Sequence, residues 1–492
     1  MLGGILILTI FPQKREKFEK LVGFDFLREQ LEPKTPYGVK YFKHIQPFGY
    51  EHLIEHLEDI DMMIDFLKKY PKIFEDVEHD FECVLDVSHT VEKLSTGSIL
   101  DEIEFFQLKN FLLVSQSIRE KFKHILPEKF LPPNLNHLID ILDPEGLRLT
   151  TFYVYDVYDE RLAEVRKRKI ELIKKQDGSL DEEVQSLAML ERQIEEEVLA
   201  KLSVALSAHS GLIETATEKV KYLDVLIAKA KLTLKFNLSK PIVKKPDAKM
   251  FEEYAKIKIQ GMFNPKLKAT IEREGGSYQP VDIVVEPCVT VIVGANMSGK
   301  SVTLRTVALI EYMVHFGFFV PCVYCETPLL NALALVTEDQ SEPLGGLSSF
   351  ATEMKEIDTI YRYVKGGNTP ALVLLDEPAR TTNPYEATVI INALSEIFER
   401  LKVHTLIVTH FDDVRSRKRL RVKGLRAEKL GNVISKDTLE RLHEFMDYTL
   451  VEVGQDETVP REALKVMEYL CIDEDIINTT KMKIKDERRR SK

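Results

Sequence analysis

The stretch from Val289 to Ser301 reads Val-Thr-Val-Ile-Val-Gly-Ala-Asn-Met-Ser-Gly-Lys-Ser, a buried strand running into a phosphate-gripping loop. Gly294, four residues, then Gly299-Lys300-Ser301 is the spacing of a P-loop. Its glycines let backbone N–H groups close around phosphate oxygens, its lysine neutralises the β and γ phosphates, and its serine offers a hydroxyl to Mg²⁺. The whole loop, Gly294, Ala295, Asn296, Met297, Ser298, Gly299, Lys300 and Ser301, is therefore a candidate nucleotide cradle. A helix is expected from Ser301 to about Phe316, its N-terminus adding unpaired N–H groups to the same anion site.

A P-loop requires an acidic partner, and Ala371-Leu-Val-Leu-Leu-Asp376-Glu377 supplies one. The apolar residues before the acid make a strand buried on both faces, which delivers Asp376 beside the loop to hold Mg²⁺ together with Ser301. Glu377 then sits next to the γ phosphate, where it can orient and deprotonate the attacking water. A third apolar strand ends at Ile407-Val408-Thr409-His410, and an imidazole there can hydrogen-bond the γ phosphate; a capping histidine at a strand end is the alternative. Strands at Ile283–Val285, Val289–Val293, Ala371–Leu375 and His404–Val408, with helices at Ser301–Phe316 and about Tyr385–Leu401, imply an α/β domain with a largely parallel sheet.

The rest of the chain changes period. From about Phe18 to Leu149 apolar residues recur at three- and four-residue spacing, as in Leu53, Leu57, Ile60, Ile64 and Leu67, which predicts a helical domain. His52 and His56 share one helix face there, with no glutamate in an H-E-x-x-H arrangement and no third ligand, so a solvated pair is expected rather than a metal site. A basic helix from Tyr158 to Lys175 and an acidic one carrying Leu187, Leu190, Ile194, Val198 and Leu202 read as an antiparallel hairpin arm, zipped by charge across its seam. A third run, Ile213, Ala216, Val220, Leu223, Ile227, Ala230 and Leu234, keeps a heptad pattern and reads as a lever. Pro241 to Asp247 looks like a linker, and Pro460 to Lys492 a short helical pair with a frayed basic tail. The resulting partition is an N-terminal segment 1–18, a helical core 19–156, the arm and lever 157–240, the α/β domain 241–455 and a C-terminal helical segment with its basic tail 456–492, the last taken as a dimerisation segment on the resemblance described below.

Composition excludes some classes of function. With 68 basic against 79 acidic residues the formal charge is −11, so the chain as a whole does not advertise a polyanion binder. Met1 to Ile10 is apolar but lacks the charged start and cleavage site of a leader and is too short to span a bilayer, so a strand or ordered terminal segment and a cytoplasmic location without membrane contact are expected. Five cysteines argue against a disulfide framework, and the lone pair Cys322 and Cys325 is expected to be two buried structural thiols.

Several motifs together resemble the ATPase domain of the MutS family of DNA mismatch repair proteins, within the wider ABC-type ATPases. They are the P-loop with Thr303-Leu304-Arg305 after it, Phe318-Phe319-Val320-Pro321, Ser348-Ser349-Phe350-Ala351-Thr352-Glu353-Met354, and Asp376-Glu377 followed by Arg380-Thr381-Thr382. Upstream, Thr35-Pro36-Tyr37-Gly38 resembles the start of that family's core helical domain, and the arm and lever its clamp region. The resemblance implies an α/β ABC-type P-loop ATPase domain preceded by an all-α core and lever, with ATP and Mg²⁺ as cofactors and self-association into a dimer. It also implies that Ser348 of one subunit reaches the γ phosphate held by the other, and that Tyr278 stacks on adenine, a buried core tyrosine being the alternative. Two departures stand out: Ala295 stands where a proline is usual, and Pro378-Ala379-Arg380-Thr381-Thr382 stands where the family has a glycine-rich run. The family's N-terminal mismatch-reading domain is expected to be missing. The implied role is clamp closure on DNA in repair or recombination; the alternative is a remodelling ATPase acting on a protein partner, such as a cobalamin-dependent aminomutase.

Overall fold

The computed structural model describes residues 15–174, 181–245, 256–294, 298–337, 346–411, 413–426, 446–454, 467 and 472–490. The apolar run at the N-terminus, the arm's turn near residue 177, the middle of the P-loop (Ala295, Asn296, Met297) and Cys471 lie outside these residues. The chain forms two compact units, one of Met1–Leu31, Gln46–Glu58 and Leu232–Lys492, the other of Glu32–Ile45 and Asp59–Lys231.

The second unit is helical. The expected apolar stripe on helix Tyr50–Lys69 is buried at Ile60, Ile64 and Leu67. The motif Thr35-Pro36-Tyr37-Gly38 opens helix Pro36–Lys43, with Thr35 as N-cap accepting from Gly38 N and proline at the first helical position. Asp224, on helix Ser210–Phe236, completes it: its carboxylate accepts from Lys34 N at 2.9 Å, Thr35 N at 2.8 Å and Thr35 Oγ1 at 2.6 Å. Glycine at 38 is required by this approach, because a Cβ there would lie 2.2 Å from Asp224 Oδ2. Burial raises the Asp224 carboxyl above its ordinary range, opposed by the Thr35 and Lys34 hydrogen bonds. Asp224→Ala is expected to strand the buried Thr35 donors and to cost about 2–4 kcal/mol, at the usual penalty for unpaired buried polar groups. Urea unfolding of the wild type and the variant, followed by circular dichroism, checks this.

The arm is the expected pair of antiparallel helices, Glu160–Lys174 and Asp181–Ser207. Leu162, Val165, Leu172, Ile194, Val198 and Leu202 are buried, whereas Ile173 and Leu190 are exposed. Arg166 bridges Glu191 at 2.8 Å and Glu195 at 2.6 Å, Arg161 reaches Glu197 at 2.6 Å, and Lys169 pairs with Glu191. The basic helix thus spends much of its charge on its acidic neighbour.

The first unit contains two sheets. Strands β1 (Ile242–Lys244), β2 (Ile257–Met262), β3 (Val281–Val285) and β5 (Tyr324–Pro328) form one, in the order β1-β5-β2-β3. Strands β4 (Val289–Val293), β6 (Ala332–Val336), β7 (Ala371–Asp376), β8 (His404–Thr409), β9 (Lys418–Leu425) and β10 (Met446–Glu452) form the other, in the order β10-β9-β4-β8-β7-β6. All pairings in this second sheet are parallel except β9 with β10. Every residue of β4, β6, β7 and β8 is buried, as a parallel sheet covered on both faces demands. A helical region and an α/β domain with a mostly parallel sheet are therefore both present.

Three readings are corrected. The expected linker contains β1, because Ile242 and Val243 are β-branched and Pro241 precedes an edge strand, where its missing N–H costs nothing. His56 is buried, 2% exposed and stacked on Phe48 at 4.6 Å, while His52 faces solvent. Its ring occupies space that Gly317 leaves open, since a Cβ there would come within 2.7 Å of it. The expected frayed tail is part of helix Glu474–Arg490, a run of good helix formers without glycine or proline.

Candidate active site

The register of the large sheet gathers three strand ends. Val293 pairs with Thr409 and Asp376 with Val408, so the residues that follow, Gly294, Glu377 and His410, leave the sheet at one edge. Ligands of open α/β sheets bind at this carboxyl end of the strands. Gly299 is the N-cap of helix Lys300–His315, with a left-handed φ of 81°, and a Cβ on it would meet the Tyr448 ring at 2.8 Å. Among the described residues, the buried Ser298 hydroxyl has no hydrogen-bond partner, which suits a loop built to meet an anion.

Lys300 is 4% exposed and donates from Nζ to Gly294 O at 2.9 Å. Burial pulls its ammonium below the ordinary lysine range, and the Glu377 and Asp376 carboxylates oppose that pull. Ser301 donates from Oγ to Asp376 Oδ1 at 2.7 Å, and Arg305 Nη2 lies 3.6 Å from Asp376 Oδ2. A hydroxyl paired with a carboxylate is a donor set for Mg²⁺, a hard cation that takes oxygen ligands.

Glu377 follows on a left-handed turn, φ 50°, with its N–H donated to Val408 O at 2.9 Å. Arg380 Nη1 and His410 Nδ1 lie 3.2 and 3.6 Å from Glu377 Oε2. The run that departs from the family pattern carries a second such residue, Ala379 at φ 58°, and its N–H donates to the Glu353 carboxylate at 3.2 and 3.3 Å. Non-glycine residues in this region store strain of roughly 1–3 kcal/mol each and gather at functional sites.

A cavity of about 480 Å³ opens between these elements, within the size range of small-molecule sites. Lys300, Ser301, Glu377 and Arg380 line one side of it, and Tyr278 and Tyr448 are part of the remaining wall. The structure thus brings together Ser298, Gly299, Lys300, Ser301, Glu377 and Tyr278 around the cavity, with Asp376 held by Ser301 and His410 beside Glu377. Ser348 belongs to the first turn of helix Gly346–Lys365, and its side chain lies outside the described residues.

Sequence reading missed Tyr448, Gln279 and Glu353. Gln279 joins the wall to β10, donating to Asp447 Oδ1 at 3.1 Å and Thr449 Oγ1 at 3.2 Å while its Oε1 accepts from Tyr448 N at 3.3 Å. Glu353 stood inside a quoted motif, whereas nothing local marks Tyr448 apart from other strand aromatics.

The helix that leaves the P-loop also carries a buried acid. Glu311 is fully buried, and burial pushes its carboxyl up to about 8 against the pull of the Thr327 hydroxyl. Neighbouring Cys325 is held as a thiol, its value raised mainly by the hydrogen bond with Cys322 and by burial, which fits the expected structural thiols. From about pH 4.5 to 8 the folded chain keeps a Glu311 proton that the unfolded chain has lost, so this group's stabilising effect fades as pH rises through 8. Glu311→Gln is expected to remove that slope and to raise the melting temperature relative to wild type at pH 8.5 more than at pH 5.5. His315, lowered by burial, acts in the acid direction in both proteins and cancels in the comparison. Among the described residues no helix is long and apolar enough to cross a membrane, and no cluster of three or more His, Cys, Asp or Glu has the geometry of a metal centre.

Residues 290–480 match the family model described as MutS domain V. Over 240 residues the chain is 29% identical to the DNA mismatch repair protein MutS of Syntrophobacter fumaroxidans, covering 46% of this chain and 25% of that protein. MutS of Caldanaerobacter subterraneus is 31% identical over 203 residues (41% and 22%), and MutS of Thermus thermophilus 28% over 245 residues (50% and 28%). The match therefore spans only 22% to 28% of the length of these relatives. This C-terminal part of the chain is thus similar to domain V of the MutS family.

Proposed function

We infer that the chain binds ATP with Mg²⁺ in the cavity beside Lys300 and hydrolyses it. The observation that carries this is the meeting of Ser301, in the first turn of the P-loop helix, with Asp376 and Glu377 at the end of β7: Ser301 Oγ lies 2.7 Å from Asp376 Oδ1, and Glu377 faces the cavity that Lys300 lines. Lys300 and the N–H groups of its helix bind the β and γ phosphates. Ser301 and Asp376 would hold Mg²⁺, whose charge would offset that of the phosphates. Glu377 takes a proton from the attacking water as the new oxygen–phosphorus bond forms and the bond to the β,γ-bridging oxygen breaks, leaving ADP and phosphate. His410, its Nδ1 3.6 Å from Glu377 Oε2, positions that carboxylate and would hydrogen-bond the γ phosphate. Tyr278 and Tyr448 face the base; stacking of Tyr278 on adenine uses its ring, since its hydroxyl already accepts from Asn264 N at 3.1 Å.

In this reading Ser348 of one subunit completes the site of the other, so that ATP closes a dimer and the helical arm moves with it. DNA, in repair or recombination, is the partner favoured, because the relatives named above are DNA mismatch repair proteins. No observation favours the aminomutase partner. Binding of duplex and branched DNA with ATP present, measured by anisotropy over a range of salt, tests the DNA assignment. The affinity is expected to fall with salt at a log–log slope of about −0.9 per phosphate contact on duplex. Absence of binding at low salt to both substrates would remove DNA as the partner and leave the ATPase reading standing.

A further inference from the structure

The N-terminal helices Arg15–Val22 and Phe24–Glu29 pack on the helix that leaves the P-loop. Glu19, 2% exposed, accepts from the Tyr312 hydroxyl and pairs with Arg15 at 2.9 Å and with Arg28. The rings of Phe18 and Phe24 lie 5.4 and 5.0 Å from that of Tyr312. Between the two helices Gly23 takes a φ of 85°, where a Cβ would come to 3.4 Å from Asn264 Oδ1.

Asn264, 8% exposed, is where this clasp meets the cavity wall. Its Nδ2 donates to Val22 O at 3.2 Å. Its Oδ1 caps helix Pro265–Arg273 by accepting from Leu267 N at 3.1 Å, and its backbone N donates to the Tyr278 hydroxyl at 3.1 Å. One residue thus ties the N-terminal helices, the start of the helix behind the cavity and an aromatic of its wall. The same N-terminal helices grip Tyr312, twelve residues beyond Lys300 on the helix that ends in the phosphate loop.

We propose that Asn264 is a positioning residue through which the N-terminal helix pair sets the affinity of the cavity for nucleotide. The inference rests on the nucleotide reading above. The side-chain amide, tied to Val22 O, holds the backbone N–H that Tyr278 accepts from, so it acts on binding of the base and not on the proton transfer at Glu377.

The two ends of the Asn264 side chain can be separated. Asn264→Asp keeps the oxygen that caps the helix but sets a second acceptor against Val22 O, so the tie is lost and the cap kept. Titration of the chain with a fluorescent ATP analogue and Mg²⁺ is expected to show binding weaker by about fivefold, the most that one lost internal hydrogen bond of about 1 kcal/mol passes to the cavity. Single-turnover release of phosphate from bound ATP is expected to stay within about twofold, since the reacting groups are untouched. Glu19→Gln, which loosens the clasp at the Tyr312 end, is expected to shift affinity in the same direction with the same unchanged turnover. A purely structural role would lower the fraction of active protein and leave the affinity of the remainder as in wild type, which overturns the proposal. So does wild-type affinity in both folded variants. If the wild-type chain takes up no nucleotide in the same titration, the nucleotide reading falls and this inference falls with it.

Discussion

Glu377→Gln is expected to keep Mg²⁺ and ATP bound while hydrolysis falls by about 10²–10⁴-fold, the usual contribution of a general base. Glutamine preserves the shape of the side chain and removes its capacity to take a proton. The backbone that aims it is independent of the carboxylate: the Glu377 N–H is held by Val408 O at 2.9 Å, and the following turn is held through Ala379 N by Glu353. The phosphate-binding groups, Lys300, Ser301 and Asp376, are likewise unchanged. The variant should therefore accumulate as an ATP-bound species, seen as retained nucleotide on rapid gel filtration with little released phosphate. Turnover at the wild-type rate would show that another group activates the water. Loss of ATP binding would show that Glu377 serves the cradle and not the chemistry.

Lys300→Ala acts one step earlier, on binding. Its ammonium is nearly buried and lies in the field of two carboxylates, Asp376 and Glu377. Removing it leaves those negative charges facing the place where phosphates are to sit. Hydrogen bonds to charged groups are worth about 1.5–3 kcal/mol each, so losing contacts to two phosphates weakens binding by roughly 10²-fold or more. The fold should survive, because the lysine donates to the carbonyl of Gly294, within its own loop, and the strand and helix that flank the loop have apolar cores of their own. Calorimetric titration with Mg²⁺ and ATP, alongside a melting curve, separates the two effects. A variant that melts as wild type and still binds with wild-type affinity would remove Lys300 from the cradle.

How legible these features were in the sequence depended on how local their causes are. The P-loop, Asp376 and Glu377 stood out because a phosphate site demands glycine, lysine and hydroxyl at fixed spacing, and β4 and β7 because strands buried on both faces read as unbroken apolar runs. The arm was legible because charge and apolar spacing agreed over two helices. What escaped were contacts made by residues far apart in the chain. Tyr448 reaches Gly299 from a strand about 150 residues away, and Glu19 reaches Tyr312 across almost 300. No period or motif encodes such pairs; they appear only once the sheet brings β10 and the P-loop helix to one wall. His56 was misread for the same reason, because the space it fills is made by Gly317. The edge strand β1 was hidden by its flanking proline and lysines, which are also what a linker looks like.

The central claim is that this site cleaves ATP with Lys300 binding and Glu377 activating water. Phosphate release by the purified full-length chain, with Mg²⁺ and ATP in excess, tests it most directly. Turnover by the wild type is expected, falling to background in both Lys300→Ala and Glu377→Gln. Absence of release by folded wild-type protein at millimolar ATP, or equal release by all three proteins, would contradict it.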